Sequence, residues 1–173
     1  MAIVAAALAT LLQFVPPSAV SVIIVPDVER AMADTKAYAA AGGLPDEALA
    51  DFNLDETFLK DARDTVDLGP AITYFTLAAP NGVTLVKLED PAGFRKAYNA
   101  GPDEDIFAVT DDGTYFATVV DNVAALAAAQ APLMDFEKPD QSLAPQLMRK
   151  LGENVSSHDL VAWVDMKTLR PQL

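Results

Sequence analysis

The run Ala19-Val-Ser-Val-Ile-Ile-Val25 is dominated by β-branched residues and predicts a buried strand, stopped by Pro26. Behind it, Asp27 is placed to accept backbone N–H bonds at the start of a helix reaching about Ala41, with Glu29 near its positive end. Val28, Ala31, Met32, Thr35 and Ala39 recur at helical spacing and mark its inward face, and Gly42-Gly43 ends it. Residues 45–63 read as short helical pieces anchored by Leu49, Phe52, Phe58 and Leu59, and Asp67-Leu-Gly-Pro70 as a turn. Two strands follow, Ala71–Leu77 and Val83–Leu88. Pro80-Asn81-Gly82 joins them as a hairpin, because Asn and Gly tolerate positive φ.

Asp90-Pro91 opens the next helix, with Pro at its first position; Phe94, Ala97 and Tyr98 face inward and Gly101-Pro102 closes it. A second hairpin pairs Asp105–Val109 with Tyr115–Val120 around Asp111-Asp112-Gly113. Asp121 or Asn122 is then expected to cap an alanine-rich helix reaching about Gln130. Residues 131–142, holding Pro132 and Pro139, read as a loop, and Leu143–Leu151 as a short helix closed by Gly152. Leu160-Val-Ala-Trp-Val164 predicts a final strand, and Asp165–Arg170 the start of a helix.

One motif recurs: a strand ends at an acidic or Asn cap and a helix follows, at Val25-Pro-Asp27, Leu88-Glu-Asp90, Val120-Asp-Asn122 and Val164-Asp165. Two of these junctions follow a hairpin, which gives consecutive ββα units. The expected class is therefore α+β, a mainly antiparallel sheet with helices packed on one face. The irregular spacing excludes a solenoid.

The first segment, Met1–Val15, is apolar and nearly uncharged. It is too short to span a bilayer and has no basic residue near Met1, so it reads as a leader remnant or as the first helix of the domain. Pro16-Pro17 ends it. Residues 16–173 are expected to form a single α+β domain. The last strand–cap–helix junction sits beside Leu173, which suggests the N-terminal part of a longer protein.

Composition narrows the function. Twelve Lys and Arg against twenty-five Asp and Glu leave a formal charge of −13, which repels nucleic acid and anionic lipid. Without cysteine and with His158 as the one histidine, disulfides, thiol nucleophiles and Cys- or His-rich metal centres are excluded. The apolar fraction of 51 % supports a packed core rather than a disordered chain.

Candidate chemistry is thin. Asp103-Glu104-Asp105 with Asp111-Asp112 gathers carboxylates at hairpin ends, as calcium would want, but without the EF-hand spacing. Asp residues in turns bond their own backbone, and that is the simpler explanation. Ser156-Ser157-His158-Asp159 holds the residue types of a triad, but triad members converge from separate segments. No Gly-x-Ser-x-Gly elbow and no phosphate-cradling glycine loop is present. Asn154-Val-Ser156 matches a glycosylation acceptor that matters only in a eukaryotic secretory path. Trp163, Tyr74, Phe75, Tyr115 and Phe116 are assigned to sheet packing. No catalytic, cofactor-binding or metal-binding residue is assigned.

Phe14-Val-Pro-Pro-Ser-Ala19, Val25-Pro-Asp27, Val66-Asp-Leu-Gly-Pro-Ala71, Asp90-Pro-Ala-Gly-Phe94, Val119-Val-Asp-Asn-Val123 and Leu160-Val-Ala-Trp-Val-Asp-Met166 carry a resemblance over most of residues 14–173. In these segments the chain resembles uncharacterised secreted or cell-envelope proteins of planctomycete-type bacteria, a group of domains of unknown function. The resemblance implies an extracytoplasmic, non-enzymatic domain in a longer parent chain with a second half. The chain departs from it in lacking a basic leader and a lipobox cysteine.

The expectation is thus a non-catalytic extracytoplasmic domain with a structural or protein-interaction role. The alternative is a carboxylate-based hydrolase or calcium-dependent binding module. If residues 1–15 are not a leader, the placement becomes cytoplasmic. The expected partner is another protein or the remainder of the parent chain, with no nucleic acid and no membrane span. An exposed edge at the last strand, or the apolar N-terminal run, favours a homodimer.

Overall fold

In the computed structural model, residues 2–42, 61–151, 155 and 158–169 are described. Their elements are α1 (Ala2–Leu12), β1 (Ser21–Val25), α2 (Val28–Ala41), β2 (Val66–Phe75), β3 (Val83–Leu88), α3 (Pro91–Ala97), β4 (Phe107–Ala108), β5 (Phe116–Val120), β6 (Val123–Ala127), α4 (Ala144–Leu151), β7 (Val161–Val164) and α5 (Met166–Leu169). The strands form one sheet in the order β4-β5-β6-β3-β2-β1-β7, and every neighbouring pair is antiparallel. The α+β class and the antiparallel sheet are those the hydrophobic pattern predicts. The helical pieces expected over 45–63, with Leu49, Phe52, Phe58 and Leu59, lie almost wholly outside the described residues, as does Gly152.

Strand residues alternate between two cores. Val22, Ile24, Ile72, Leu85, Val123 and Ala125 pack with Leu8, Leu11 and Leu12 of α1 and Leu147 of α4. Val86, Leu88, Ala117, Ala124 and Leu126 pack on the opposite side with Phe94 of α3. The helices are thus divided between the two faces rather than gathered on one. The reason is visible in β3 and β6, which are buried nearly throughout and must be covered on both sides.

The alanine-rich segment differs most from expectation. Val123–Ala127 is a strand, not a helix, and all five of its residues are buried between β5 and β3. Asp121 and Asn122 form the two-residue turn of the β5–β6 hairpin, with Asp121 at φ 55°. The alanines favour a helix locally, but pairing on both edges and burial on both faces outweigh a preference of under about 1 kcal/mol per residue. The second ββα unit is therefore a run of three strands.

Asp67–Pro70 lies within β2, where the ladder to β3 skips between Val66 and Ala71. Its turn chemistry is real but serves a bulge: Gly69 N–H donates to Asp67 Oδ1 at 3.0 Å, and the other oxygen meets Lys87 Nζ at 3.1 Å. The other three strand–cap–helix junctions form as the sequence predicts. Asp27 Oδ1 accepts from Arg30 N–H at 2.8 Å, Asp90 Oδ1 from Gly93 N–H at 2.9 Å, and Asp165 Oδ1 from Lys167 N–H at 3.0 Å. Along α2, Val28 is buried, Ala31 and Met32 are half-buried and Thr35 is exposed, while the side chain of Ala39 lies outside the described residues. Among the described residues, no helix is long and apolar enough to cross a membrane.

Candidate functional site

The two ends of the sheet are built differently. β4 at one end has two residues and lies between the acids Asp103, Glu104 and Asp105 and the acids Asp111 and Asp112. Short length and charge blunt that edge. At the other end, β7 carries no charge and no proline, and among the described residues β1 is its one sheet partner.

In the β1–β7 ladder, Ser21 faces Val164, Val22 faces Trp163, Ile23 faces Ala162 and Ile24 faces Val161. Asp165 N–H extends it with a 2.8 Å bond to Val20 O. Because neighbouring residues of an antiparallel strand bond to opposite sides, Val161 and Trp163 share the side of Asp165 and bond β1. The N–H and C=O groups of Ala162 and Val164 point away from the sheet. The side chains of Val161 and Trp163 lie against the α1 core, and Lys150 Nζ sits 5.6 Å from the centre of the Trp163 ring.

Apolar surface flanks these outward groups: Leu160 is 58 % exposed, Val164 44 % and Met166 56 %. The surrounding geometry is held in place. Arg30 on α2 pairs with Asp159 at 3.1 Å and donates to His158 O at 3.0 Å, fixing the approach to β7. Asp165 closes the far end, where its second oxygen takes the Thr168 hydroxyl at 2.9 Å. The Thr168 hydroxyl, and then the Lys167 N–H, hold the Asp165 carboxyl below its ordinary range.

The residues weighed for chemistry sit elsewhere and are engaged locally. Asp112 Oδ1 takes the Thr110 hydroxyl at 2.7 Å and the Thr114 N–H at 2.9 Å, and Thr114 and Thr110 together lower its carboxyl to about 2. Glu104 accepts from Gly101 N–H, while Arg95 donates to Glu104 O and, at 3.2 Å, to Val119 O. That guanidinium clamps the 101–104 loop to β5. His158 is exposed beside the ion-paired Asp159; Ser156 and Ser157 lie outside the described residues. Among the described residues no three His, Cys, Asp or Glu converge as metal ligands.

A groove of about 430 Å³ opens over the α1 face between Phe14, Tyr74 and Phe136, with Asp135 and Glu137 on its rim. Burial pushes the Tyr74 phenol up to about 12, so it stays protonated as part of the floor. The β7 edge is where backbone groups, apolar surface and fixed geometry coincide. Sequence reading found this strand and its exposed edge, but not the particular outward groups, because their direction follows from the register with β1.

No family model, curated protein or solved structure matches this chain.

Proposed function

We propose that this α+β domain is a non-catalytic, extracytoplasmic interaction module whose docking element is the outer edge of β7. The observation that carries the reading is the pair of outward backbone groups at Ala162 and Val164, flanked by exposed Leu160, Val164 and Met166. An uncharged strand edge of this kind binds by adding a strand, with main-chain hydrogen bonds for affinity and neighbouring apolar side chains for selectivity. The contrast with the acid-flanked β4 edge supports it. Of the carboxylates considered for calcium, Asp112 closes a turn and Glu104 accepts from Gly101 N–H after the end of α3, so both are engaged locally. The extracytoplasmic placement and the longer parent chain rest on the family resemblance.

Sedimentation velocity of the 173-residue chain, at a salt concentration that screens its charge, tests the docking edge. An unoccupied edge should self-associate as concentration rises, and Val164→Lys should abolish the association. A chain that stays monomeric at high concentration would count against the proposal, as would an association indifferent to Val164→Lys.

A further inference from the structure

The last βα unit repeats the first. Leu8 and Leu147, Leu12 and Leu151, Val22 and Val161, Ile23 and Ala162, Ile24 and Trp163, and Val25 and Val164 are all separated by one constant offset. In consequence α1 and α4 end at matching residues, and β1 and β7 end at matching residues. Omission of the single residue matching Pro26 brings Asp27 onto Asp165, and both start a helix. Burial follows the repeat: Leu8 and Leu147, Val22 and Val161, and Ile24 and Trp163 all face the α1 core.

The pairing register turns this repeat into a symmetry. Ile23 faces its own counterpart, Ala162. Val22 faces the counterpart of Ile24, and Ile24 faces the counterpart of Val22. The β1–β7 ladder is therefore a local two-fold axis through Ile23 and Ala162. α1 and α4 pack against each other beside it, and Leu143 N–H donates to Val15 O at 3.0 Å.

Around β7 the symmetry is incomplete. Val28 is 6 % exposed, whereas its counterpart Met166 is 56 % exposed. Ile23 and Val25 pair with Thr73 and Ala71 of β2; their counterparts Ala162 and Val164 face outward. α1 lies across β2 and β3, whereas the main contact of α4 is α1.

We propose that α4–β7–α5 opens a second copy of this module, and that the strand docking on β7 is that copy's equivalent of β2. The two-fold fixes the register: Ala162 takes the residue equivalent to Thr73, and Val164 the residue equivalent to Ala71. The result is one continuous sheet running through both copies. The inference rests on β7 being the docking edge and adds the identity and register of the occupant.

The test uses a peptide of residues 66–88, the β2–β3 hairpin, as a stand-in for the second copy. The chain has no cysteine, so introduced thiols report pairing without background. Val164→Cys protein should form a disulfide with the Ala71→Cys peptide and not with the Tyr74→Cys peptide. Ala162→Cys with the Thr73→Cys peptide is an independent second pair. Bound peptide should also slow amide exchange at Ala162 and Val164 by about tenfold or more. Cross-linking only between two protein chains, with no peptide capture, would overturn the second-copy inference and leave the docking edge standing. Neither kind of cross-link, with no self-association in sedimentation, would overturn both.

Discussion

Ile23 and Ala162 face each other at the centre of the β1–β7 ladder, and each is the other's counterpart in the repeated βα unit. A strand pair of that symmetry has two equivalent outer edges. β2 occupies one of them, and the other is the exposed edge of β7. The proposed interaction role and the proposed occupant of that edge both rest on this relationship.

The apolar N-terminal segment belongs to the core, since Leu11 and Leu12 of α1 are fully buried under β2 and β3. Leu12→Ala should cost about 2–5 kcal/mol in urea unfolding, the range for emptying a buried leucine site. Removal of residues 1–15 should leave no cooperative unfolding transition. A truncated chain of wild-type stability would show that α1 is dispensable.

β6 gives a second test. Ala125 is fully buried on the α1 side of the sheet, and neighbouring strands fix its position. Ala125→Leu should destabilise by about 1–3 kcal/mol through overpacking. In a surface helix the same change would be nearly neutral. Thermal unfolding of the two proteins separates the outcomes.

The Asp112 turn predicts a pH response. Its carboxyl ordinarily titrates at 3.8 and here at about 2, because Thr114 and Thr110 bond the charged form. A lowered value means that the charged form stabilises the fold above the ordinary range, and that this contribution fades as pH falls through about 2. Carbon-13 NMR titration should place the Asp112 midpoint near 2, and Thr114→Ala should raise it toward 3.8. With its oxygen used inside the turn, calcium should not shift the melting temperature; a shift lost in Asp112→Ala would contradict that assignment.

The helix caps distinguish the two copies of the βα unit. Asp27→Ala should cost about 1 kcal/mol, because α2 begins on the buried Val28. Asp165→Ala should change global stability by less than about 0.5 kcal/mol while raising exchange at Lys167 and Thr168, because α5 begins on exposed Met166. Equal losses would show that α5 is already packed as α2 is.

What the sequence made legible was local chemistry. Asp90-Pro91 announces α3 and Pro80-Asn81-Gly82 the β2–β3 hairpin, because cap and turn residues act within a few positions. β6 was hidden because alanine carries a helix preference and little strand signal, and only the pairing of Val123–Ala127 with two strands decides its state. Asp121-Asn122 did hold a hairpin signal, two residues tolerant of positive φ, overshadowed by the alanines. The two-sided layering was latent in the unbroken apolar run Val123–Ala127, which leaves neither face of that strand polar. The repeat escaped because α1 and α4 share few residue types, Leu8 and Leu12 against Leu147 and Leu151 being the main anchors. Its symmetry is a property of pairing register.

Residue-resolved hydrogen exchange on the dilute monomer, repeated at high concentration, tests the β7 edge most directly. Val161 and Trp163 should be protected in both samples, while Ala162 and Val164 exchange rapidly when dilute and slow when the chain associates. Protection of Ala162 and Val164 in the dilute monomer, or rapid exchange of all four, would contradict an open docking edge on β7.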